Sequence, residues 1–168
     1  ATAGAITRQR GIGDMFLAFE QLASRDADLW LAYAGPRDGT PARHWHPRVL
    51  GLGVLEQQAV PELLSALDMA IVCNRDSAFG RYCYPMKLEE AIACGRPVIA
   101  ARVGDVAARL SFDDGSLYEP GRPEELASKL NRRLTEPQGG APLHPAAWDE
   151  LAPELERALN LAVPTVGT

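Results

Sequence analysis

Between residues 84 and 101 the chain reads YPMKLEEAIACGRPVIAA, an amphipathic helix that is stopped and turned at once into an apolar strand. Leu88, Ala91, Ile92 and Gly95 recur at helical spacing and offer one face to a core. Pro85 suits the first helical position, where the missing N–H would have no partner anyway, and Gly95 followed by Pro97 ends the helix about three turns on. Val98-Ile99-Ala100-Ala101 then has the short, continuous, partly β-branched character of a parallel strand buried on both faces. A strand-loop-helix-strand unit of this kind commits the chain to an α/β architecture.

The same alternation runs through the rest of the sequence. A first strand is expected within residues 1–6, followed by a helix over 12–23 with Ile12, Met15, Phe16, Phe19 and Leu22 on one face, and a second strand over 28–34 closed by Gly35-Pro36. Further strands are expected at 48–52, 69–73, 97–101 and 116–119, and further helices at 60–67, 105–110, 124–134 and 148–161. The last of these would carry Leu151, Leu155 and Leu159 on its inner face. Residues 36–47 and 137–142 read as exposed loop and linker. The expectation is one domain over residues 1–168: a doubly wound α/β fold, with a parallel sheet of about six strands and helices on both faces. Ligands of such sheets bind at the carboxyl ends of the strands. The loops at 7–13, 53–57, 74–84 and 102–105 are therefore the ones to watch.

With 168 residues, 46% of them apolar, the chain can bury one good core. A formal net charge of −5 argues against a broad phosphate-tracking surface, so no nucleic-acid partner is expected. Cys73, Cys83 and Cys94 are odd in number and lack CxxC spacing, which reads as reduced core thiols in a cytoplasmic protein. No apolar stretch is long enough to span a bilayer, and no basic-then-apolar leader precedes the first strand. Work at the inner face of a membrane, by peripheral association, stays compatible with this composition. The abrupt start without methionine suggests a piece of a longer protein.

The helix opening at Pro85 supplies donors suited to a diphosphate: the first-turn N–H groups of Met86, Lys87 and Leu88, the positive end of the helix dipole, and the mobile charge of Lys87. Glu90, one turn after Lys87, could accept both hydroxyls of a ribose. Spacing alone equally allows Lys87 and Glu90 to form an ordinary solvent-facing ion pair. The segment Gly4-Ala5-Ile6-Thr7-Arg8-Gln9-Arg10-Gly11-Ile12-Gly13 sets Arg8 and Arg10 beside glycines, where they could wrap phosphate from the other side. Gly11-Ile12-Gly13 imitates the start of a dinucleotide fingerprint, yet Phe16 stands where its third glycine belongs. His44-Trp45-His46 lacks a third ligand, so no metal is expected, and hydrolase, zinc-protease and Walker motifs are missing.

Taken in order, Pro85, Lys87, Leu88, Glu90, Ala93, Cys94, Gly95, Pro97 and Val98 match a Pro-x-Lys-Leu-x-Glu motif followed by Ala-Cys-Gly-x-Pro-Val. On these residues the chain resembles the C-terminal, donor-binding domain of a GT-B glycosyltransferase of the family 4 type (glycosyl transferases group 1). Gly4 with Arg10-Gly11, Leu52-Gly53-Val54, the run from Pro61 to Asp68, and Trp148-Asp149 extend the likeness along nearly the whole chain. The resemblance implies one Rossmann-like half of a GT-B enzyme, with an N-terminal acceptor domain outside this chain and the active site between the two. It implies that Arg10 and Lys87 are the catalytic cations and that Glu90 holds the donor ribose. Gly4, Arg8, Pro85, Met86 and Leu88 would surround the diphosphate, Gly53 and Val54 the base, and Tyr82 the donor sugar.

The substrate implied is a nucleoside diphosphate sugar, the reaction a retaining transfer without a cofactor or metal, and the product a polysaccharide or glycoconjugate. The isolated domain is expected to bind nucleotide without transferring sugar. Two positions depart from the family pattern: Ala5 replaces an arginine after the strand-end glycine, and Tyr82 replaces an acid eight residues before Glu90. Two other readings stay open. One is an NAD-dependent oxidoreductase domain, with Gly11-Ile12-Gly13 on pyrophosphate and Asp38 on ribose; the other is a degenerate nucleotide-binding module without catalysis.

Overall fold

Among the described residues six short strands are found, a helix separates each from the next except the second from the third, and every strand pair is parallel. The computed structural model describes residues 2–7, 10–36, 46–84, 86–136, 144–145 and 147–162. The strands are β1 (Thr2–Ala3), β2 (Leu31–Ala34), β3 (Val49–Gly51), β4 (Ala70–Val72), β5 (Val98–Ala101) and β6 (Leu117–Tyr118). The helices are α1 (Gly13–Ala23), α2 (Ala59–Ser65), α3 (Ala78–Tyr82), α4 (Met86–Ala93), α5 (Gly104–Arg109), α6 (Pro123–Thr135) and α7 (Trp148–Ala162). Arg8, Asp38, His44, Trp45, Pro85 and the 137–142 linker lie outside the described residues.

Strand pairing corrects one expectation. Two three-stranded sheets form, β1-β2-β3 and β4-β5-β6, rather than one ladder of six. β1 runs beside β4 without laddering to it. The first strand is only two residues long, its pairing is taken up by Tyr33 and Ala34 of β2, and Gly4 then turns the chain away at φ +113°. Laid side by side, the strands follow the order 3-2-1-4-5-6, and the β1/β4 junction is the point where the chain reverses its direction of winding. In open α/β folds this switch point is where ligands bind.

Side-chain alternation within the second sheet shows why both faces are covered. Met69, Ile71, Cys73, Ile99, Ala101 and Tyr118 face α1 and α6, whereas Ala70, Val72, Val98, Ala100 and Leu117 face α4 and α5. Continuous apolar runs in β4 and β5 thus feed two cores, as the doubly wound arrangement requires.

The helix α3 lies inside a segment expected to be loop. Its sequence AFGRY is too short to show a periodic face. A local cap and a close fit hold it: the Ser77 side chain accepts from the Gly80 N–H at 3.1 Å, and a Cβ at Gly80 would collide with the Arg75 carbonyl. A Cβ on Gly104, at the start of α5, would lie 2.9 Å from the Arg81 Cα, so two glycines let α3 sit down on its neighbours. The α7 expectation is also corrected. Leu151 is half-buried, but Leu155 and Leu159 are exposed, so the stripe on α7 covers no core here. Its approach to the domain runs through Arg109, which donates to the His144 carbonyl, and through the His144–Glu150 pair at 3.0 Å.

Candidate functional site

Gly4 ends β1 at the switch point, its N–H donating to the Ala34 carbonyl at 2.7 Å. A Cβ there would overlap Lys87 Cε and stand 2.6 Å from Lys87 Nζ. The lysine therefore leaves the first turn of α4, crosses the junction between the sheets and lays its ammonium on the bare glycine. No carboxylate pairs with it among the described residues. Burial, reinforced by the charge of Arg10, pulls the Lys87 pKa down from 10.5 to about 8. An ordinary Lys87–Glu90 surface pair is thus not formed, and the ammonium is aimed at the strand ends instead.

Arg10 closes the other side. Its own N–H donates to the Thr7 carbonyl at 3.1 Å, and the left-handed turn at Gly11 (φ +67°) brings the loop down onto the Asn74 backbone. The guanidinium stacks over Phe79 of α3, 5.0 Å from the ring centroid, and donates to Cys83 Sγ at 3.8 Å. Such a cation–π contact contributes about 0.5–1 kcal/mol at a partly exposed site. Two cations thus lie close enough to sense each other, one seated on an aromatic ring and a thiol and the other on a glycine, with no ion pair to an acid among the described residues. Cys83 is accordingly part of the cleft and not a core thiol; Cys73 is the buried one.

At the start of α4 one expected donor is lost. The Met86 N–H already donates to the Tyr84 carbonyl at 3.0 Å, because the chain tightens there before the helix begins. Lys87 and Leu88 supply the following first-turn amides, while the Leu88 side chain is fully buried in the α4 core. Glu90 is exposed and shares a narrow crevice with Lys87, Thr2, Leu64 and Val72. No described residue bonds to its carboxylate, so only the helix sets its direction. Glu89 behaves oppositely: it is buried and takes Arg109 as a fork, at 2.9 and 3.4 Å.

Around the rim, Tyr82 is 87% exposed and Val54 74% exposed. Gly53 stands in the left-handed region at φ +69°, its carbonyl accepting from the Gly35 N–H at 2.6 Å, which ties the turn after β3 to the end of β2. Arg8 and Pro85 lie outside the described residues. Beneath these cations the Cys73 thiol is pushed up to about 11 by burial, and the Tyr118 hydroxyl is fully enclosed beside Cys73 and Asp14, with no partner at normal hydrogen-bond geometry among the described residues. Sequence reasoning missed Phe79 and Cys83. Their only advance signal was an aromatic and a thiol within the one long loop that reaches the strand ends.

These features define a doubly wound domain with two cations, Lys87 and Arg10, near its switch point. The chain belongs to the glycosyl transferases group 1 family, whose model matches residues 1–136. It is 32% identical over 130 residues to the N-acetyl-α-D-glucosaminyl L-malate synthase of Bacillus anthracis, a match covering 73% of this chain and 32% of that protein. The chain thus spans about a third of that relative's length. Its fold is that of GT-B C-terminal domains. The C-terminal domain of a group 1 glycosyl transferase (LpcC) from Francisella tularensis superposes with a TM-score of 0.62 at 18% identity, over 80% of this chain and 75% of that one. Anabaena HepE in complex with UDP-glucose gives a TM-score of 0.63 at 21% identity, over 81% of this chain and 39% of that one. Among the described residues no helix is long and apolar enough to cross a membrane, and no three His, Cys, Asp or Glu side chains gather as a metal site.

Proposed function

We propose that this chain is the nucleotide-sugar-binding half of a retaining, metal-independent glycosyltransferase of the family 4 type, completed by an acceptor-binding domain and acting on a polysaccharide or glycoconjugate in the cytoplasm. The observation that carries the reading is the ammonium of Lys87, partly buried and without an ion-pair partner among the described residues, resting on Gly4 within electrostatic range of Arg10. Holding two positive charges near each other, with Glu90 acting on Lys87 only at a distance and not as an ion pair, is unfavourable in the free protein and becomes favourable when a diphosphate arrives. In transfer, the same two cations would take up the negative charge that grows on the departing nucleoside diphosphate, stabilising the transition state more than the ground state. Glu90 would accept the ribose hydroxyls, the Lys87 and Leu88 amides would donate to phosphate, and the turn at Gly53 and Val54 would flank the base. Tyr82 would address the donor sugar in place of a carboxylate.

The relative from Bacillus anthracis is named for an N-acetylglucosaminyl group, and HepE was crystallised with UDP-glucose, so a uridine nucleotide is the first ligand to test. Titration calorimetry with UDP, GDP and ADP should give binding to at least one, and no sugar transfer by the chain alone. Absence of heat from all three at millimolar concentration would sink the reading. Thermal stabilisation by NAD instead would favour an oxidoreductase.

A further inference from the structure

Asn74 follows β4 at the switch point and is only 5% exposed, yet its carboxamide hydrogen-bonds nothing among the described residues. Buried amides are almost always satisfied by protein or ordered water, so a carboxamide that no described protein group engages is free to bond an arriving ligand. Its setting indicates which. Extending the two-residue alternation of β4 puts Asn74 on the side of Ala70 and Val72, the side that α4 covers. Gly11, next to Arg10, sits so close to the Asn74 backbone that a Cβ added to it would stand 3.3 Å from the Asn74 carbonyl, and the preceding residue, Cys73, lies within electrostatic range of Lys87. Unlike the Tyr118 hydroxyl, which is sealed in the core, this carboxamide keeps a sliver of contact with the outside. The Asn74 backbone thus lies beside the Arg10 loop, at the end of the strand whose neighbouring residue senses Lys87.

We infer that Asn74 is a ligand-contacting residue of the donor site, its side-chain NH2 donating to a phosphoryl oxygen of the diphosphate that Lys87 and Arg10 neutralise; this rests on the donor-site reading above. An amide suits the position better than a third cation. It adds a directional donor without adding repulsion to two unpaired positive charges, and so helps fix which oxygens face which donor.

Two variants separate this role from a structural one. Asn74→Ala removes a polar group that has no hydrogen-bond partner among the described residues, so the melting temperature should hold while UDP affinity falls about 3- to 10-fold. Asn74→Asp, nearly the same shape, gains Lys87 as a partner in the free protein and repels phosphate, so its melting temperature should hold or rise while UDP affinity falls by more than about 10-fold. In nitrogen-proton correlation spectra, the Asn74 side-chain amide signals should move on adding UDP or inorganic pyrophosphate and stay still with uridine. If wild type binds UDP while both variants bind it within twofold of wild type and the amide signals do not move, the inference is wrong and the donor reading survives. Parallel loss of stability and affinity in both variants overturns it as well, by making Asn74 a structural residue. Failure of wild type itself to bind any of UDP, GDP or ADP would defeat the donor reading and this inference together.

Discussion

Replacing Lys87 by methionine should make the protein more stable and less able to bind nucleotide. Methionine keeps the length and apolar stem of lysine and removes only the charge. Holding a lysine at about 8 rather than 10.5 withholds about 3 kcal/mol of stability at neutral pH, since the ammonium is charged there but deprived of water and set near Arg10. Local relaxation recovers part of this, so Lys87→Met should gain about 1–3 kcal/mol, or about 3–10 °C in melting temperature for a chain of this size. The pH dependence has a definite sign. Lysine depressed in the folded state means that the unfolded chain binds more protons between about pH 8 and 10.5, so wild-type stability should rise with pH across that window, and Lys87→Met should show no such rise. Nucleotide affinity moves the other way. Loss of a charge-assisted hydrogen bond costs about 1.5–3 kcal/mol, roughly 10- to 150-fold in Kd for UDP, and wild-type affinity should itself decline above about pH 8 as the free ammonium loses its proton. Differential scanning calorimetry and isothermal titration over pH 6–10 read both quantities. A variant that melts lower than wild type and binds UDP equally well would refute the reasoning, for it would make Lys87 a packing residue.

Gly4→Ala should mimic that affinity loss by a different route, because its Cβ would occupy the space of the Lys87 terminus; the φ of +113° adds about 1–2 kcal/mol of destabilisation, so here stability and UDP affinity should both fall in the same two assays. Glu90→Ala should weaken UDP binding about 10-fold or more while leaving the melting temperature within a degree or two, and the loss should shrink for 2′-deoxy-UDP; an equal loss for both nucleotides would separate Glu90 from the ribose. Glu89→Ala, one residue earlier, should do the reverse: breaking the partly buried fork to Arg109 should cost about 2–3 kcal/mol in urea denaturation with UDP affinity unchanged.

The contrast between those adjacent glutamates marks the limit of what the sequence discloses. Helical spacing identifies the buried stripe of Leu88, Ala91 and Ile92, and the apolar runs of β4 and β5 announce strands covered on both faces, so the α/β architecture follows from local periodicity. Periodicity cannot say whether Lys87 pairs with Glu90 one turn away or reaches elsewhere. That choice depends on Gly4, more than eighty residues earlier, leaving room for an ammonium. The split into two sheets is hidden for a similar reason, since it turns on how many backbone groups a two-residue β1 has left to offer β4. The short helix α3 escapes because its five residues have no periodic face; Ser77 caps it locally, but its seat depends on Gly104, more than twenty residues on, leaving room for the Arg81 backbone. Arg10 could be flagged from its loop, but its seat on Phe79 and Cys83 could not, being made between segments about seventy residues apart.

The most direct test is a crystal structure of the chain with a nucleoside diphosphate, UDP first. The account predicts the diphosphate at the β1/β4 junction, with a phosphoryl oxygen within hydrogen-bonding distance of Lys87 Nζ and the ribose against Glu90. Nucleotide seated elsewhere on the domain, with Lys87 still folded onto Gly4 and untouched, would contradict it.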